Sequence, residues 1–172
     1  EGCLLPYDGL AIVPAGSRGD RSTLLWPHRS VFLHDGHLYH YYVNPVIDRS
    51  VQKRDGERHL VEGLAPIGTH CHEFGHLLGL PDRYGIGSAR GPAQFCLMAV
   101  GNVGFSPSGE RRPTHLCAWC KYRLGWLRPA RLDPAEASGA RLALRPITEG
   151  RGQAFLIPIR PGGSEYYLLE HR

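Results

Sequence analysis

His72-Glu73-Phe74-Gly75-His76-Leu77-Leu78-Gly79-Leu80-Pro81-Asp82 is the stretch from which the rest of the chain is best read. Residues four apart on an α-helix lie one turn apart on the same face. His72 and His76 can therefore each aim an imidazole nitrogen at one zinc ion. Glu73 sits beside His72 and faces the same cleft. It is not needed as a ligand, and its carboxylate is free to take a proton from a zinc-activated water. A catalytic zinc needs three protein ligands and one open position. Gly79 can adopt positive φ and end the helix sharply. Leu80, before Pro81, is pushed toward extended backbone. The chain can then swing back and deliver Asp82 as third ligand. Glu110 is the other acidic candidate, but Ser108-Gly109-Glu110-Arg111-Arg112-Pro113 does not read as a helix, so Asp82 is favoured.

The flanking segments predict the elements around this helix. The helix itself is expected over 66–79, with Pro66 near its start, Thr69 as a cap and Gly79 at its end. Residues 9–13 read as a short buried strand. Residues 31–43 read as a hairpin turning at Asp35-Gly36. Residues 80–113 are rich in Gly, Pro and Ser and read as irregular. A second helix is expected over 113–124, with Pro113 in its first turn and Gly125 as its stop. The tail reads as β at Leu142–Leu144, Ala154–Ile159 and Tyr166–Glu170. No internal repeat is visible.

Composition bounds the rest. A length of 172 residues fits one domain, and 42% apolar with 21% charged residues is ordinary for a globular protein. The net charge is +4 and the basic residues are scattered, so nucleic acid is set aside as a partner. No run of 18 apolar residues offers a membrane span. No signal peptide is visible, and the abrupt ends at Glu1-Gly2-Cys3 and Glu170-His171-Arg172 suggest that further domains belong to the full-length protein. Five cysteines (Cys3, Cys71, Cys96, Cys117 and Cys120) leave at least one unpaired within the chain. Cys117 and Cys120 read as buried thiols, with a disulfide as the second reading. His34, His37 and His40 are spaced by three, but a hairpin turning at Asp35-Gly36 would keep them off a common face.

Met98, the single methionine, follows in Cys96-Leu97-Met98-Ala99. In metzincins a methionine turn forms an apolar floor beneath the zinc, and the compact His-Glu-x-x-His layout matches, with Asp82 in place of a third histidine. Tyr84 is placed to hydrogen-bond an oxyanion or simply to pack.

The pattern extends well beyond the zinc motif. Ile67 to Tyr84, Leu97-Met98 with Gly101, Pro113 to Trp126, Leu25-Trp26-Pro27-His28-Arg29 and the Tyr166 to Arg172 tail occur in an order that resembles the M6-type metallopeptidases, typified by immune inhibitor A. The resemblance implies a secreted bacterial zinc endopeptidase acting on proteins or peptides. It also implies an α+β, zincin-like domain in which the active-site helix packs on a small mixed sheet, and places His28 in the cleft. Gly85 departs from the family, where an aspartate often follows the tyrosine. Calcium is compatible with the pattern but cannot be read from it. Two rival readings remain at this level: a zincin-fold module that only binds, and a zinc hydrolase of narrow, non-protein substrates. Glu73 argues against the first, because a purely structural zinc site has no use for that carboxylate.

Overall fold

The computed structural model describes residues 7–17, 22–85, 91–104, 112–135, 139, 141–147 and 153–172. Cys3 and Glu110 lie outside them. The chain divides into two compact units, one up to Thr114 and one from His115 to Arg172.

The first unit is built on a three-stranded sheet ordered β1-β3-β2, from β1 (Leu10–Ile12), β2 (His28–His34) and β3 (His37–Val43). β2 and β3 form the expected hairpin, with His34 opposite His37 across Asp35-Gly36. Both turn residues have positive φ, 47° and 75°, which a two-residue turn of the right twist requires. Directly opposed residues share a face. His34 and His37 therefore do face the same way, contrary to the sequence expectation, while His40 faces the other way.

β1 runs parallel to β3, which makes the sheet mixed. It is not the buried strand its apolar run suggested: Ala11 and Ile12 are exposed, because β1 is an edge strand. A second hairpin, β4 (Ile47–Arg54) and β5 (Glu57–Leu64), was not anticipated. Its strands lack apolar alternation. Its one legible signal is Asp55-Gly56, the same dipeptide that turns the first hairpin.

α1 (Ile67–Leu77) follows and packs against β3 and β2. Pro66, with φ −66° and ψ 147°, is its N-cap. Thr69 is not the cap: it lies inside the first turn and is buried. Proline loses nothing at a helix entrance, where an N–H has no partner anyway. The C-terminus closes as the sequence predicts. Gly79, at φ 87°, donates its N–H to His76 O at 2.9 Å, and Leu80 donates to Gly75 O at 3.1 Å. This is the paired bond of a Schellman motif. Leu80, buried to 2% exposure, folds back beneath the helix end. Among the described residues, the segment beyond carries two single-turn 3₁₀ helices, Ala93–Phe95 and Val100–Asn102.

The second unit packs α2 (Ala118–Arg123) with a sheet ordered β6-β7-β8, from β6 (Ala130–Arg131), β7 (Ala154–Pro158) and β8 (Tyr166–Glu170). Ala118, Leu127, Ile147 and Ala154 form its buried core, with Leu168 against them. α2 starts later than expected. Cys117 is extended (ψ 163°), and the Ala118 N–H is donated to the Glu170 carboxylate of β8 at 2.7 Å. A tertiary acceptor thus sets the first turn, which no local cap residue announces. Gly125 ends the helix with the same bond pair as Gly79. Leu142–Leu144 is not a strand; that region contributes one bridge, Pro146 to His171. Cys117 and Cys120 are buried and reduced, with sulfurs 3.6 Å apart.

Glu170 also accepts a hydrogen bond from Arg172 Nε at 2.9 Å, and the two side chains are partly buried. Glu170→Ala is expected to cost about 1–2 kcal/mol, the worth of a good helix cap. Urea unfolding measures this directly, and amide exchange in the first turn of α2 should accelerate. An unchanged midpoint would show that the contact contributes nothing.

Among the described residues, no helix is long and apolar enough to cross a membrane.

Candidate metal centre

The buried face of α1 carries Thr69, His72, Glu73 and His76. The two imidazoles meet edge-on, with ring centroids 4.9 Å apart. Each is fixed from behind by a main-chain carbonyl. His72 Nδ1 is 2.8 Å from Leu97 O, and His76 Nδ1 is 2.8 Å from Leu80 O. A carbonyl only accepts, so each Nδ1 carries the hydrogen and each Nε2 turns toward the cleft. The Leu80 carbonyl is held in place by the helix-ending turn at Gly79, so the device that stops α1 also orients its second histidine.

Asp82 arrives from beyond Pro81. Its Oδ1 lies 3.1 Å from His72 Nε2 and 3.5 Å from His76 Nε2. One ligand atom from each of the three residues falls within 4.8 Å of the others. Two imidazole lone pairs and a carboxylate oxygen converging this closely call for positive charge between them. With a proton on Nε2 in place of a metal, hydrogen bonds from His72 and then His76 hold the Asp82 carboxyl well below the usual carboxylate range. At His72 burial works against a proton, but the bonds to Asp82 and the Leu97 carbonyl, with the charges of Glu73 and Asp82, leave its pKa raised. Borderline nitrogen donors plus one carboxylate oxygen are a set that suits a zinc-type cation. The residues present therefore fit a divalent metal.

Glu73 is buried to 7% exposure. Burial pushes its pKa up, against the opposing pull of His72, His76 and His28. It lines a pocket of about 400 Å³ with both histidines and Asp82. His28 and Tyr84 line the same pocket. His28 Nδ1 is 2.6 Å from Trp26 O, and Tyr84 lies 5.8 Å from the His72 ring. His70 is turned away and meets Tyr42 edge-on at 6.1 Å. Sequence reasoning missed six further wall residues: Trp26, Pro27, Arg29, Thr69, Asn102 and Val103. For Thr69 the signal was available, since it lies one turn before Glu73 on the same helix face.

Met98 is fully buried. A Cβ added to Gly75 would overlap Met98 Sδ and come 3.1 Å from its Cε. Gly75 sits between the two histidines, so the methionine presses on the helix where a side chain would hold it away. The Met98 carbonyl also accepts the Arg83 N–H at 2.6 Å, tying this turn to the residue after Asp82. Gly75→Ala is expected to cost about 1–3 kcal/mol through overpacking and to weaken metal binding. The cost should shrink in a Met98→Ala background, where the obstruction is gone. Thermal melts of the two single variants and the double variant give that coupling; strict additivity would show that the two residues do not press on each other.

Residues 15–128 match the family model of the immune inhibitor A peptidase M6 catalytic domain. The chain belongs to the M6 peptidase family. The match contains every residue of the centre, from His28 to Met98. No curated protein and no solved structure matches the chain. Membership in the M6 family supports a metallopeptidase function and implies a metal, usually zinc. It makes protein the expected class of substrate.

Proposed function

We propose that this M6 peptidase is a zinc-dependent endopeptidase with a zincin-like, metzincin-style catalytic domain. The observation that carries the reading is the convergence of His72, His76 and Asp82 beside a buried Glu73 in one pocket. His72 and His76 would hold the zinc through Nε2 and Asp82 through a carboxylate oxygen, with Met98 as the floor under the helix. When bound, the zinc supplies Lewis acidity, making a water more acidic and polarising the scissile carbonyl.

The protein's own groups supply the proton traffic. The Glu73 carboxylate takes the proton of the attacking water and passes it to the leaving amine nitrogen. Burial suits Glu73 to this task, because a carboxylate of raised pKa is the better base. His28 and Tyr84 stand on the pocket wall, where they can donate hydrogen bonds to substrate or to the developing oxyanion. Release from a bacterial cell, as implied by the family resemblance, belongs to the same proposal.

Zinc content and casein hydrolysis, measured on one preparation of the purified chain, test the reading. About one zinc per chain together with cleavage supports it. A correctly folded chain that binds no zinc would end it. Zinc without cleavage of casein or any peptide would favour the binding-module reading.

A further inference from the structure

The pocket carries a feature that amide hydrolysis does not use. Arg29 is the only lysine or arginine among the described residues that line it. In the hairpin Arg29 stands opposite Tyr42. Opposed residues project from one face of a sheet, and Tyr42 projects onto α1, where it meets His70. Arg29 therefore leaves the sheet on the face that α1 covers, toward the pocket rather than away from it.

Neither carboxylate of the pocket neutralises this guanidinium. Asp82 is engaged by His72 and His76. Among the described residues, Arg29 makes no ion pair. It is exposed, and it shares the pocket lining with the uncharged Trp26, Pro27 and Asn102. A bidentate cation with no ion-pair partner among the described residues is suited to receive a carboxylate.

We propose that Arg29 is a specificity determinant, reading an aspartate or glutamate side chain of the substrate at a position removed from the scissile bond. The proposal rests on the peptidase reading above. Its sign is set by the fixed charge: an acidic side chain is favoured, a neutral isostere loses the ion pair, and a basic one is repelled. The guanidinium is solvent-accessible, so the preference is modest, about two- to fivefold in kcat/KM, and it shrinks as salt screens the pair.

The test uses zinc-loaded enzyme and fluorogenic peptides in pairs that differ only by Glu or Gln at one position. That position is scanned along both sides of the scissile bond. The readout is the Glu-to-Gln ratio of kcat/KM within each enzyme, so a general loss of activity in a variant cancels. Wild type should favour Glu at one position. In Arg29→Gln the ratio should fall to about one, in Arg29→Lys part of it should survive, and in Arg29→Glu it should drop below one. Equal cleavage of all pairs by wild type overturns the proposal alone, as does a preference that survives in Arg29→Gln. Failure to cleave any peptide removes the peptidase reading and this inference with it.

Discussion

Glu73→Gln is expected to keep its metal and lose about 10²–10⁴-fold in kcat, the usual worth of a positioned general base. Glutamine has nearly the shape of glutamate, so the pocket and the facing imidazoles should stay as they are. What it lacks is an oxygen basic enough to accept a proton. The site around Glu73 sharpens the contrast. At 7% exposure the carboxylate is largely desolvated, and burial raises its pKa while His72 and His76 pull it back. The folded protein thus tolerates a charge that surface glutamates carry freely, and a neutral amide relieves that cost. The variant should therefore be at least as stable as wild type while being nearly inactive. Metal content, a thermal melt and kcat on one peptide decide the matter. Turnover within a few-fold of wild type would remove Glu73 from the proton relay.

His76→Ala should act on the metal first and on turnover only as a consequence. It removes one of three converging donors and leaves Asp82 Oδ1 with only His72 close by. Loss of an outer partner of a ligand typically costs 10–100-fold in metal affinity, about that range at the least, and loss of a ligand itself should exceed it. Stability offers a second readout. A metal at a thousandfold excess over its Kd stabilises the folded state by about 4.1 kcal/mol. Adding zinc should raise the melting temperature of wild type and of Glu73→Gln, and leave that of His76→Ala where it was. A variant that still binds zinc with wild-type affinity would exclude His76 as a ligand. Together the two substitutions separate proton transfer from metal retention.

The elements that sequence reasoning placed well are those whose signals are local. Gly79 before Leu80-Pro81 announces the end of α1, and Asp35-Gly36 announces the first turn. The histidine spacing can be read because helical periodicity alone puts His72 and His76 on one face. Elements fixed by distant partners were placed badly. α2 begins where a carboxylate from β8 accepts the Ala118 N–H, and nothing near Pro113 reports that. β1 looked buried because its residues are apolar, but burial depends on lying inside the sheet or at its edge. The β4–β5 hairpin has the turn dipeptide without the alternating pattern. Arg29, Asn102 and Val103 reach the pocket only once β2 and the turns after Met98 have been brought beside α1. Pocket walls are assembled from remote segments, while the three residues proposed to hold the metal lie within eleven consecutive positions, His72 through Asp82.

The two hydrogen bonds behind the histidines end on the carbonyls of Leu80 and Leu97. Every residue type has that oxygen, so no side-chain replacement at either position deletes the support. Drift by point substitution can therefore alter Leu97 while the imidazoles stay aligned. Insertions and deletions are another matter, because a change in loop length shifts which carbonyl faces which ring. The lineage of such a centre should accumulate substitutions between Leu80 and Leu97 more readily than gaps next to its two anchor points. A designer wishing to retune the metal would find no outer side chain to exchange behind the histidines and would have to rebuild the path of the main chain.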